Sequence, residues 1–177
     1  MNLLYSKGIE KMTENQYREI THFFRKSKFR SEGIKILCKY SQILIIMLYM
    51  CTSIFLYLKN DKRLILFLII PALNLIFVSI FRKILNKPRP YDTYDYEPLV
   101  DYEKGKGQSF PSRHTASAFI IAMACLYLNH TYGFIVMFIA IIVGVTRVLA
   151  GVHYPTDVIG GAVISILFGV VGFFILV

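Results

Sequence analysis

The apolar positions of this chain do not alternate with polar ones; they gather into long runs. Four runs, about Ile36–Leu58, Leu64–Leu85, Phe134–Leu149 with its flanks, and Val158–Val177, are of the order of the roughly 20 residues that cross a bilayer as a helix. A fifth, Thr115–Leu128 extended back to Ser112, is shorter. The pattern predicts an all-α fold, a polytopic membrane helical bundle of about five transmembrane helices. Pro71 lies inside the second run, where a membrane helix tolerates it if a neighbour satisfies the freed carbonyl. Residues 91–110, between the second and third predicted helices, are polar and rich in Tyr, Asp and Glu. Irregular loops of this length tend to be functional.

The chain ahead of the spans is polar and basic. Tyr17, Ile20, Phe23 and Phe24 recur at helical spacing, so Thr13–Arg30 is expected to form an amphipathic helix lying at the membrane interface. Thr13, with Gln16 three residues on, is its expected cap. The expected organisation is an N-terminal interfacial segment, residues 1–33, followed by a transmembrane domain, residues 34–177. No short basic region followed by an apolar core opens the chain, so no cleavable signal peptide is expected.

Composition agrees with this pattern. The chain is 55% hydrophobic with a mean hydropathy of +0.53, too apolar for an ordinary soluble domain. The net charge of +9 does not point to nucleic acid, because the basic residues flank membrane segments and do not sit among stacking aromatics. Beside a bilayer they attract anionic head groups, so membrane lipids are the expected partners. Cys38, Cys51 and Cys125 are isolated, lack metal-ligand spacing and read as small buried hydrophobes.

The chemistry is concentrated where the apolar runs stop. The stretch Gly144–Gly161 lies between two spans yet carries Arg147, His153 and Asp157, and ionisable residues there are functional candidates. Pro155 predicts a helix start, which puts Asp157 in the first turn and His153 just ahead of it. A carboxylate on one imidazole nitrogen leaves the other free to attack. Arg82 and Arg89 close the second span. Ser112 is the expected N-cap of the third, where helix-end amides favour phosphate, and Arg113 and His114 follow in its first turn. Alternating spans bring all four points to one membrane face. Arginine, histidine and a serine then outnumber a single carboxylate, so the expected guest is anionic and phosphate-like. No carboxylate cluster suggests a metal, and neither metal nor cofactor is expected. Gly161, Ser165 and Gly169 form a small-residue stripe read as a helix-packing surface.

Taken together, Arg82-x6-Arg89-Pro90, Pro111-Ser112-Arg113-His114 and Thr146-Arg147-x5-His153-x3-Asp157 resemble the type 2 phosphatidic-acid phosphatase family, relatives of the vanadium haloperoxidases. That family carries Lys-x6-Arg-Pro, Pro-Ser-Gly-His and Ser-Arg-x5-His-x3-Asp elements. Here Arg82, Arg113 and Thr146 depart from it. The resemblance implies that His153 is the nucleophile, forming a phosphohistidine, and that Asp157 orients it. It implies His114 as the general acid and then the base. Arg82, Arg89, Ser112 and Arg147 would hold the phosphoryl oxygens, helped by main-chain amides near Arg113.

The short chain and interfacial N-terminus resemble small bacterial undecaprenyl-diphosphate phosphatases. The expected activity is metal-independent hydrolysis of a lipid diphosphate or monophosphate, with undecaprenyl diphosphate as the leading substrate. The alternatives are a phosphatidate or phosphatidylglycerophosphate phosphatase, a lipid phosphotransferase, or a non-catalytic membrane protein. The resemblance also implies a cell-membrane location with an extracytoplasmic site. That places Lys59, Lys62 and Arg63 inside, as the positive-inside rule requires, but puts the basic N-terminus outside, against it.

Overall fold

Helix ends in this protein fall where the sequence supplies a cap, a proline or a charged turn. The computed structural model describes residues 12–175. It consists of α1 (Glu14–Arg25), α2 (Lys28–Leu58), α3 (Leu64–Leu85), the short α4 (Pro90–Thr93), α5 (Arg113–Leu128), α6 (His130–Leu149) and α7 (Pro155–Val170), which ends in a π-helical turn, Val171–Ile175. There is no strand among the described residues. Four helical stretches are long and apolar enough to cross a membrane, those over α2, α3–α4, α6 and α7 with its π turn.

The fifth expected span is α5, and it differs in kind. At 16 residues it is about 24 Å long, short of the roughly 30 Å of a hydrocarbon core. It packs against α2, α3, α6 and α7, and Ala116 and Ala118 through Cys125 are all buried. It is the hub of the bundle, enclosed by the longer helices. The lipid-facing sides of those helices stay apolar and open, as at Ile46, Leu68, Phe138 and Leu167.

Small and polar groups set the close approaches. A Cβ on Gly161 would stand 2.7 Å from the Ser112 carbonyl oxygen, and one on Gly169 would stand 2.7 Å from Met123 Cβ. The small-residue stripe thus seats α7 on α5. Deep in the bundle, Asn74 of α3 donates to Ser165 of α7 at 3.1 Å. Pro71 sits inside an unbroken α3. Its missing N–H would leave the Phe67 carbonyl unpaired, and the Tyr49 hydroxyl of α2 donates to that oxygen at 3.2 Å.

The N-terminal region departs from expectation. The Thr13 capping box forms as read, but the helix ends at Arg25. Ser27 is extended and a new helix begins at Lys28, so α2 starts well ahead of Ile36, and position 33 lies inside it. Helix α1 also packs inward against the bundle. Tyr17 is fully buried, while Phe23, of the same expected apolar face, is exposed. Cys38 and Cys125 are buried, but Cys51 is exposed on α2.

Candidate active site

The starts of α5 and α7 meet. Ser112 caps α5, its Oγ accepting from the Thr115 amide at 3.5 Å and from the Thr115 hydroxyl at 3.0 Å. Its own amide donates to the Asp157 carbonyl of α7 at 2.9 Å. The first-turn amides of a helix have no intrahelical acceptor, so the Arg113–His114 turn presents donors and the positive dipole end at this junction.

Pro155 opens α7 as its fixed φ favours. This places the Asp157 carboxylate back against its own N-cap, where Oδ2 accepts from the Tyr154 amide at 3.0 Å. The same oxygen meets His153 Nδ1 at 3.3 Å and accepts from the Ser109 hydroxyl. His153, Asp157 and Ser109 are all buried. A carboxylate only accepts, so Nδ1 carries the ring hydrogen and Nε2 keeps its lone pair. Burial pulls the His153 imidazole below its ordinary range. The hydrogen bond and charge of Asp157 oppose that shift, and Arg89 and Arg82 reinforce it. The ring is therefore held neutral at neutral pH, the form in which an imidazole is a nucleophile.

Four arginines gather at this end of the bundle. Arg82, buried at the last turn of α3, donates to the Pro111 carbonyl, which fixes it beside Ser112. Helix α3 does not persist to Arg89: Asn86 turns left-handed at its end, and Arg89 becomes the N-cap of α4. Its guanidinium donates to the Gly107 carbonyl and the Tyr91 hydroxyl, both at 3.1 Å. Arg147 donates through Nη2 to the Cys38 carbonyl at 3.0 Å. Its Nε is buried and has no protein acceptor, a donor left over for a guest. The guanidinium groups of Arg147, Arg113 and Arg82 stand near the half-buried His114 ring. Arg113 itself is exposed at the rim. All eight residues singled out in the sequence thus come to one end of the bundle. Thr146, by contrast, donates to the Val143 carbonyl of its own helix.

Three contributors escaped the sequence reading. Ser109 holds Asp157 from the loop. Tyr96 donates to the Gly151 carbonyl at 2.7 Å, and Tyr17 donates to the His153 carbonyl at 3.2 Å. No spacing marks them; the tyrosine-rich character of residues 91–110 was the one available signal. Gly151 has φ +76°, a conformation that favours glycine, and a Cβ there would crowd the Tyr96 ring at 3.0 Å. Among the described residues no group of three or more His, Cys, Asp or Glu forms a metal-binding cluster.

Residues 63–176 match the family model described as PAP2 superfamily. Undecaprenyl-diphosphatase BcrC of Bacillus subtilis (strain 168) is 34% identical over 83 residues, which are 47% of this chain and 42% of that protein. Lipid A 1-phosphatase of Rhizobium etli is 35% identical over 92 residues, 49% of this chain and 38% of that protein. The chain thus matches less than half the length of these curated relatives. Among solved structures, Aquifex aeolicus LpxE superposes with a TM-score of 0.69 at 25% identity, covering 89% of this chain and 92% of that one. A transmembrane PAP2 type phosphatidylglycerolphosphate phosphatase from Bacillus subtilis superposes with a TM-score of 0.72 at 20% identity, over 90% and 81% of the two chains, and shares the fold. The family match covers more than half of the chain and contains every one of the eight residues, and this membrane protein belongs to the PAP2 superfamily.

Proposed function

We propose that this protein is a lipid phosphatase of the cell membrane that transfers the terminal phosphoryl group of undecaprenyl diphosphate to His153 and then to water. The observation that carries the reading is the buried His153–Asp157 pair at 3.3 Å, set among arginines. The pair supplies a neutral, oriented nucleophile. Arg82, Arg89 and Arg147, with Ser112 and the amides of the Arg113 turn, supply the positive field that phosphoryl transfer requires. In this reading Nε2 of His153 attacks phosphorus in line and the bond to the leaving oxygen breaks. His114 gives that oxygen a proton where it needs one, then takes a proton from the water that splits the phosphohistidine. The arginines and helix-end dipole hold the phosphoryl charge, so the step needs no metal.

The 34% identity to an undecaprenyl-diphosphatase supports this substrate first. Phosphatidylglycerophosphate or phosphatidate is the alternative lipid, and transfer of the phosphoryl group to a second lipid is the alternative to hydrolysis. The test is phosphate release by purified protein in excess chelator. The panel holds undecaprenyl diphosphate, phosphatidylglycerophosphate, phosphatidate and lipid A 1-phosphate. The reading expects full activity in chelator and the highest kcat/KM for undecaprenyl diphosphate. Activity lost to chelator and restored by magnesium would contradict it, and a monoester turned over faster would move the substrate assignment.

A further inference from the structure

The family match begins at residue 63, yet the His153 loop is held from outside by groups that precede or flank the matched motifs. Three carbonyls of the loop each have a donor from elsewhere. The Leu99 amide donates to Ala150 at 3.0 Å, the Tyr96 hydroxyl to Gly151 at 2.7 Å, and the Tyr17 hydroxyl to His153 itself at 3.2 Å. Tyr17 does more than donate. Its ring stacks on Tyr96 at 5.1 Å with an interplanar angle of 5° and meets Tyr154 edge-on at 6.1 Å. It is fully buried. Burial pushes its hydroxyl well above the ordinary range, with Tyr154 and Asp157 adding to the effect, so it remains a donor at any working pH.

Helix α1 is itself fastened to the 91–110 loop and lies against Gly151. Arg25 forms an ion pair with Glu97 at 3.1 Å and donates to the carbonyls of Glu97 and Pro98, both at 3.2 Å. Thr21 lies against Gly151, whose added Cβ would stand 3.5 Å from the Thr21 methyl. We propose that α1 is a positioning strap for the nucleophile, and that Tyr17 is its positioning residue, holding the backbone of His153 so that Nε2 faces the phosphate site.

The inference rests on the phosphohistidine reading above. Tyr17→Phe keeps the ring and its stacking and removes only the donor. The measurement is single-turnover formation of the phosphoenzyme from labelled undecaprenyl diphosphate, by full-length protein, recording both rate constant and amplitude. A positioning role lowers the rate constant while the amplitude stays full. One modest hydrogen bond corresponds to a loss of roughly 3- to 10-fold. Tyr17→Ala, which also removes the stacking on Tyr96, lowers the rate constant further. Phe23→Ala, on the exposed side of α1, keeps the wild-type rate. A Tyr17→Phe rate equal to wild type overturns the proposal. So does a reduced amplitude at unchanged rate, since that reports only fewer folded molecules, and so does an equal loss in Phe23→Ala. His153→Ala runs alongside: an adduct that persists there overturns the phosphohistidine reading itself, while its absence with a wild-type Tyr17→Phe rate overturns the strap alone.

Discussion

The Ser112 amide donates to the Asp157 carbonyl at 2.9 Å, tying the start of α5 to the start of α7. The tie requires α5 and α7 to approach closely, and Gly161 permits it: the nearest atom to a Cβ built there is the Ser112 carbonyl oxygen, at 2.7 Å.

Gly161→Ala therefore forces backbone to move, costing about 1–3 kcal/mol by overpacking, and the movement falls on Ser112. Activity should drop at least tenfold and the thermal midpoint in detergent should fall. Gly33→Ala, inside α2 where nothing lies within 4 Å of the added Cβ, should leave activity unchanged and the thermal midpoint no lower. Equal behaviour of the two variants would show that the α5–α7 approach does not set the site.

A second expectation concerns pH. The attacking form of His153 is neutral, and its proton affinity in the folded protein is lowered, chiefly by burial. The neutral form then persists as pH falls past the ordinary histidine value of about 6.5. The acid limb of kcat/KM should lie below that value. Asp157 raises the proton affinity of His153, so Asp157→Asn should move the acid limb further down while lowering the rate through the lost tautomer control. An acid limb that moves upward in Asp157→Asn would contradict the assignment of that limb to His153.

These expectations draw on a site that was largely legible in the sequence, for a physical reason. Arg82, Ser112, Arg147 and Asp157 stand at the ends of apolar runs, and run order alone assigns such ends to one membrane face. Pro155 and Ser112 mark helix starts by local chemistry, and both starts are where they were read. What run order cannot assign is a contact made by a segment outside the spans. Tyr17 reads as one member of an apolar stripe, and its burial against Tyr96 and Tyr154 depends on a loop with no periodicity. Arg25 gave no sign that it would bridge to Glu97. The α1–α2 break escaped because Lys28 and Arg30 oppose the dipole of a helix start and no acidic residue or side-chain cap marks the first turn of α2. The shortness of α5 was visible, but its place at the centre of the bundle was not.

The two histidines should separate by leaving group. His153→Ala should abolish turnover of every lipid phosphate. A monoester expels a strongly basic alkoxide, whereas a diphosphate expels a lipid monophosphate with a second pKa of about 6. Acid–base assistance is worth about 10²–10⁴-fold, so His114→Ala should cost close to that range on phosphatidate and clearly less on undecaprenyl diphosphate. The comparison is single-turnover phosphoenzyme formation on both substrates. Equal losses would make His114 a phosphate-binding or positioning group.

Orientation follows from one labelling experiment. Lys104 is exposed on the loop that carries Ser109. Lys104→Cys, in an active background free of other cysteines, should react with an impermeant maleimide on intact cells if the site faces outward. Labelling only after lysis would place the site, and the basic α1 with it, on the cytoplasmic side.

The most direct test of the account is the identity of the phosphorylated residue. Acid-quenched protein, trapped during turnover of labelled undecaprenyl diphosphate, should yield an acid-labile, base-stable adduct. Peptide mapping should place it on His153, and His153→Ala should lack it. An adduct of the same stability on another residue, or one that persists in His153→Ala, would contradict the assignment of His153 as the nucleophile.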